Sequence, residues 1–169
     1  MHTSLNKTVA ATITFALAGL ISLLFFAAVS VYLLPHSIFY AVLVLNTFFS
    51  IRFFSRLIAP SPRQTAVDAI LVVLYIILAY SLGNAFAFPL VATCLFLVAT
   101  AKYVIELDSN PHVSVLKRKI SLDLLGAALC AATLGGVLAG NPLASAWILA
   151  AVFAAANVYL LFIRPMYRL

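Results

Sequence analysis

Charge is scarce in this sequence. Its 169 residues include ten Lys or Arg and only four Asp or Glu, so 8% of positions are charged while 66% are hydrophobic. A soluble domain of this length covers its core with polar surface, and the residues for that cover are missing. A bilayer as solvent removes the need for it. Little chain remains outside the apolar runs, which leaves no room for a soluble domain on either side. Residues 1–169 are therefore read as a single integral membrane domain, an all-α polytopic membrane protein.

Other absences narrow the chemistry. There are two cysteines, Cys94 and Cys130, both inside apolar runs and without a CxxC or Cys/His cluster, so a metal or redox site lacks its ligands. They read as small apolar residues. His2, His36 and His112 all fall at the ends of apolar runs, which disfavours a haem held by two histidines within a bundle. No glycine-rich phosphate loop and no GxGD-type sequence is present. No cofactor or metal is expected. The net charge of +6 does not point to nucleic acid either, because the basic residues punctuate apolar segments instead of gathering on one face.

The charge that exists is concentrated. Lys102, Glu106, Asp108, Lys117, Arg118, Lys119 and Asp123 lie within one 22-residue stretch, which must reach water or headgroups while its flanks do not. Working outward from it, six spans are expected at about 8–34, 38–58, 65–82, 86–105, 120–139 and 143–163. The first apolar run, Thr8 to Leu34, is 27 residues long, roughly 40 Å as a helix at ~1.5 Å per residue. It is too long for a signal peptide, although Ala28-Val29-Ser30 loosely resembles a cleavage site. Pro35-His36-Ser37 supplies the first break. Pro60-Ser61-Pro62-Arg63 supplies the second, with Ser61 as N-cap and Pro62 at the first helical position. Gly83-Asn84 and Gly140-Asn141-Pro142 mark two further turns. The segment from Pro111 to Ile120 reads as a loop or a short interfacial helix.

These spans pair as three antiparallel hairpins. The turns at 35–37, 83–85 and 140–142 hold no charged residue, while every Lys and Arg lies toward the other side. The positive-inside rule then places both termini and both long loops in the cytoplasm. Lys117, Arg118 and Lys119 are expected to meet anionic lipid headgroups, and the 106–120 loop to offer a surface for a protein partner. Asp68 and Asp123 recur 55 residues apart, and Asn46, Lys102 and Asn157 at 56 and 55, but matching between these anchors is poor. Spans five and six differ from the Phe- and Leu-rich spans one, two and four. Gly126, Ala128, Ala132, Gly136 and Gly140 give span five the small residues that let helix backbones approach in lipid, so these two spans are expected nearest the bundle axis or another subunit.

Seven residues are candidates for a ligand site: Asn46, Arg52, Asp68, Lys102, Glu106, Asp123 and Asn157. Ionisable groups at membrane depth are costly, a few kcal/mol near mid-span, and so invite a functional question. The structural reading weighed against it makes Asp68 and Asp123 helix-start carboxylates favoured by the dipole, pairs Lys102 with Glu106 one turn away, and makes Asn46 and Asn157 interhelical glue. Tyr75 is another polar group at depth. The functional expectation is a small non-enzymatic transport or solute- and lipid-handling protein of the plasma membrane (the inner membrane if the source is bacterial), acting with partner subunits or as a homo-oligomer. The alternatives are an accessory subunit of a larger membrane complex and an intramembrane enzyme using Asp68 and Asp123 as a carboxyl dyad.

Overall fold

A computed structural model describes residues 2–26, 30–58, 61–107 and 113–165. Ala28, Val29, Pro60, Asp108, Pro111 and His112, singled out above, lie outside them. The described chain is all-helical: α1 (His2–Phe26), α2 (Leu33–Phe54), α3 (Pro62–Tyr80), α4 (Ala87–Ile105), α5 (Val113–Leu138) and α6 (Pro142–Val158), the last running on into a wider π-helical turn, Tyr159–Ile163. All six are long and apolar enough to cross a membrane.

Local chemistry sets most of the boundaries. Ser61 caps α3 by accepting the Gln64 N–H at 3.2 Å, and Pro62 follows it where a missing N–H costs nothing. Asn84 Oδ1 accepts the N–H groups of Phe86 and Ala87 at 3.0 and 2.9 Å and opens α4. Gly140, at φ +83°, ends α5 in the left-handed conformation. There Asn141 N–H reaches the Gly136 carbonyl and Gly140 N–H reaches Val137, the paired bonds of a Schellman motif.

Two boundaries differ from expectation, each for a physical reason. The first break precedes Leu33, so Pro35 and His36 sit inside the first turn of α2. A proline is tolerated there because the first N–H groups of a helix have no partner within it. His36 is accordingly buried in the bundle rather than placed at an outer turn. The second difference is larger: α5 starts at Val113, about two turns before Ile120. Lys and Arg are good helix formers. The apolar positions among them, Val115, Leu116 and Ile120, pack on Phe53, Phe54 and Tyr103 in a cluster of their own. The basic triplet therefore rides on a continuous 26-residue helix, roughly 39 Å long at ~1.5 Å per residue. Asp123 consequently stands three turns inside α5, and Asp68 in the second turn of α3, so neither is a helix-start carboxylate.

The helices pack as a closed ring in the order α1, α2, α6, α5, α4, α3, with α3 returning to α1. The most extensive interface is α4 on α5. Gly126 makes it possible: a Cβ there would sit 2.9 Å from the Phe96 ring, inside van der Waals contact. The other small residues of α5 are placed differently. Gly136 faces the Ser145 side chain of α6, while Ala128, Ala132 and Gly140 are exposed on the outside of the ring.

The ring is filled at one end and hollow at the other. At the filled end Phe39 contacts Phe153 at 4.2 Å and Phe88 at 5.5 Å between centroids, and His36 stacks on Phe88 at 4.1 Å. Such pairs add ~0.5–1.5 kcal/mol beyond simple burial. His36 Nδ1 donates to the Leu82 carbonyl at 2.8 Å, and Ser30 Oγ donates to Gly83 at 2.8 Å, tying the α1–α2 junction to the α3–α4 turn.

Candidate functional site

The hollow end is formed by the last turns of α2 and α4, the first turns of α3, the basic half of α5 and the last turns of α6. Two ion pairs organise it. Lys102 Nζ lies 2.5 Å from Asp68 Oδ1 and joins α4 to α3. Lys119 Nζ lies 2.5 Å from Asp123 Oδ1, one turn along α5. The expected pairing of Lys102 with Glu106 is not formed: Glu106 Oε1 accepts from Gln64 Nε2 of α3 at 2.6 Å. The two pairs are unequal in setting. Asp68 has a half-exposed side chain, whereas Lys119 and Asp123 are only 6% and 2% exposed.

Lys119 was expected among the headgroups and instead points into the bundle. Its Nζ stands 5.6 Å above the centre of the Tyr103 ring, a cation–π distance. Tyr103 in turn shares a hydrogen bond with Ser50 of α2 at 3.1 Å. Deeper in, Thr47 of α2 hydrogen-bonds the Tyr75 hydroxyl of α3, and Tyr75 stacks on Phe15 of α1 at 4.2 Å. Lys117 and Arg118 remain exposed.

Two adjoining chambers result. The first, about 490 Å³, is lined by Asn46, Asp68, Lys102, Lys119 and Asp123 among others from α1 to α5. The second, about 410 Å³, lies between α5 and α6 and is lined by Asn46, Lys119, Asp123 and Asn157 together with apolar side chains. The buried Lys119–Asp123 pair borders both. Each volume falls in the range of ordinary small-molecule sites, ~300–1,000 Å³.

Of the seven candidates, Asn46, Asp68, Lys102, Asp123 and Asn157 line the chambers; Arg52 and Glu106 line neither. Asn157 does not bridge helices, since its Nδ2 donates to Phe153 of its own helix at 2.9 Å. Asp68 and Asp123 are each taken by a lysine, which is not the proton-sharing arrangement of a carboxyl dyad. Lys119, Tyr103, Thr47, Ser50 and Gln64 are the residues that sequence reasoning missed. The four-residue spacing from Lys119 to Asp123 on the same face as Leu116, Gly126 and Cys130 was the available signal.

The inner pair adds little stability of its own. A buried ion pair seldom stabilises relative to apolar residues of similar size, because desolvation offsets the attraction. Placing Lys before Asp at this spacing is also the less favourable order along a helix. Two acceptor atoms, Asp123 Oδ2 and Asn157 Oδ1, are buried with no hydrogen-bond partner among the described residues. Among those residues no three His, Cys, Asp or Glu side chains come together to hold a metal ion. The arrangement can therefore bind and position a small molecule through hydrogen bonds and paired charges. No protein-family model, curated protein or solved structure matches this chain.

Proposed function

We propose that this is a small non-enzymatic membrane protein that takes a solute or lipid into its helix bundle for transport or transfer, in the plasma membrane, with partner subunits or as a homo-oligomer. In this reading the helices form three antiparallel hairpins. Both termini and the 106–120 segment are cytoplasmic, in keeping with the one-sided distribution of Lys and Arg. Lys117 and Arg118 then rest against anionic headgroups, each adding roughly 1 kcal/mol of attraction. The chambers face the cytoplasmic leaflet. One observation carries the reading: the pairs Asp68–Lys102 and Lys119–Asp123 converge on hollow space in a chain with almost no other charge inside it.

Thiol labelling tests it. In a Cys94→Ala/Cys130→Ala background, Asn46→Cys should react with a membrane-impermeant maleimide from the cytoplasmic side only, and Asn84→Cys from the opposite side only. An Asn46→Cys chain inert from both sides would mean a closed bundle and remove the proposal. A second reading, an accessory subunit of a larger complex, is favoured by the exposed small-residue face of Ala128, Ala132 and Gly135. Disulfide formation between copies through Ala132→Cys in native membranes would assign that face to self-association. Protection of the same thiol, lost on purification, would assign it to a different subunit.

A further inference from the structure

The second chamber says more about what is bound. Its walls are apolar, formed by Leu125, Leu129, Val152, Phe153, Ala156 and Leu160. Its outer rim belongs to the surface of the bundle, since Leu125 is 65% and Val152 47% exposed and Ala156 is exposed as well. In a chain whose helices lie in lipid, that rim faces acyl chains, so the chamber opens sideways between α5 and α6. The polar groups are confined to its inner end, where Asn46, Lys119, Asp123 and Asn157 separate it from the charged cavity.

At that inner end the two groups lacking partners among the described residues are both acceptors. Asp123 Oδ2 and Asn157 Oδ1 are bare, on residues only 2% and 4% exposed. A buried acceptor without a partner is costly, and two lining one chamber call for two donors supplied from outside the protein. The two lysines lining the chambers, Lys102 and Lys119, are already paired with Asp68 and Asp123. An anionic head would meet lysines whose charge is already balanced by Asp68 and Asp123. A cationic head would add an uncompensated charge beside a pair that is already neutral. What fits is an uncharged head that donates.

We infer that the chambers bind a single-chain amphiphile with a neutral head bearing two hydroxyls, its tail in the lateral chamber and one hydroxyl donating to each of Asp123 and Asn157. The inference rests on the small-molecule reading above and names its substrate class. The two hydroxyls supply the missing donors, and the rest of the head extends toward Lys102 and Asp68 in the larger cavity.

Quenching by brominated chains tests this in the full-length protein, held in phosphatidylcholine nanodiscs. The chain has one tryptophan, so a Trp147→Phe/Val152→Trp protein reports from the rim alone. Three probes share one dibrominated acyl chain: the glycerol monoester, the methyl ester, and the free acid at pH 9, where it is ionised. The glycerol monoester should quench at about tenfold lower concentration than either of the others. Asn157→Leu should remove most of that advantage without changing quenching by the methyl ester. A Leu160→Trp reporter on the other side of the chamber gives the same comparison should Val152→Trp fold poorly. Equal quenching by all three probes would overturn the inference, leaving a chamber that takes any tail. Tightest quenching by the free acid would overturn it in favour of an anionic ligand. No quenching by any probe would overturn the lateral chamber itself. The labelling of Asn46→Cys from the cytoplasmic side reports on aqueous access and not on the head group bound, so failure here and failure of the broader proposal give different results.

Discussion

The two ends of this bundle are built from the same six helices and a similarly apolar alphabet, yet they do opposite things. At the neutral end, Phe39, Phe88, Leu78 and Leu82 are fully buried, and the turns are stitched to one another by Ser30 and His36. At the charged end, the interior holds one buried ion pair, two acceptors unpartnered among the described residues and two chambers, with a second, half-exposed ion pair at its edge. Interiors pack densely where nothing requires otherwise. An end that stays hollow and keeps buried charge therefore carries a cost that packing does not explain.

The strongest tests break one end while sparing the other. Asp123→Leu removes the carboxylate that balances the buried Lys119 charge and should lower unfolding stability by about 3–5 kcal/mol. The double change Lys119→Met/Asp123→Leu should recover that loss or exceed wild type, while abolishing amphiphile binding. Reversible unfolding in mixed micelles separates these outcomes; a double variant as unstable as the single one would make the pair structural. Phe39→Ala is the counterpart at the sealed end. It should cost about 3 kcal/mol or more through the cavity it opens, yet leave labelling of Asn46→Cys from the cytoplasmic side unchanged.

Smaller effects sharpen the contrast. Gly126→Ala drives a methyl group into the Phe96 ring and should cost about 1–3 kcal/mol by overpacking the α4–α5 interface, visible as a lowered thermal midpoint in detergent. Asp68→Asn removes the outer ion pair, whose half-exposed carboxylate places it among pairs worth ~0–1 kcal/mol. Its unfolding midpoint should hardly move. A loss as large as that for Asp123→Leu would show that both pairs are set equally deep.

Several of these features could be read before any coordinates. Ser61 and Pro62 start α3 and Gly140 ends α5, because caps act within a few residues and their chemistry is local. The membrane character of the helices follows from run length and charge. Five of the seven candidate residues line the chambers, because an ionisable or amide group in an apolar run has few reasons to be there. The misreadings share a cause. Lys119 looked like its neighbours Lys117 and Arg118, and His36 looked like part of a turn. Each is turned inward by a partner distant in sequence: Tyr103 stands beneath Lys119, and Leu82 and Phe88 receive His36.

The linear chain by itself determined that six helices are long and apolar enough to cross a membrane, and where local caps start and stop them. These depend on composition and on neighbours a few residues away. The tertiary structure alone decided which small residues face a partner helix and which of three consecutive basic residues is buried. It also decided that residues from α2, α5 and α6 border one junction with two acceptors left bare. Those outcomes depend on the ring order of the helices and on rotation about their axes, which are set by long-range packing among side chains far apart in sequence.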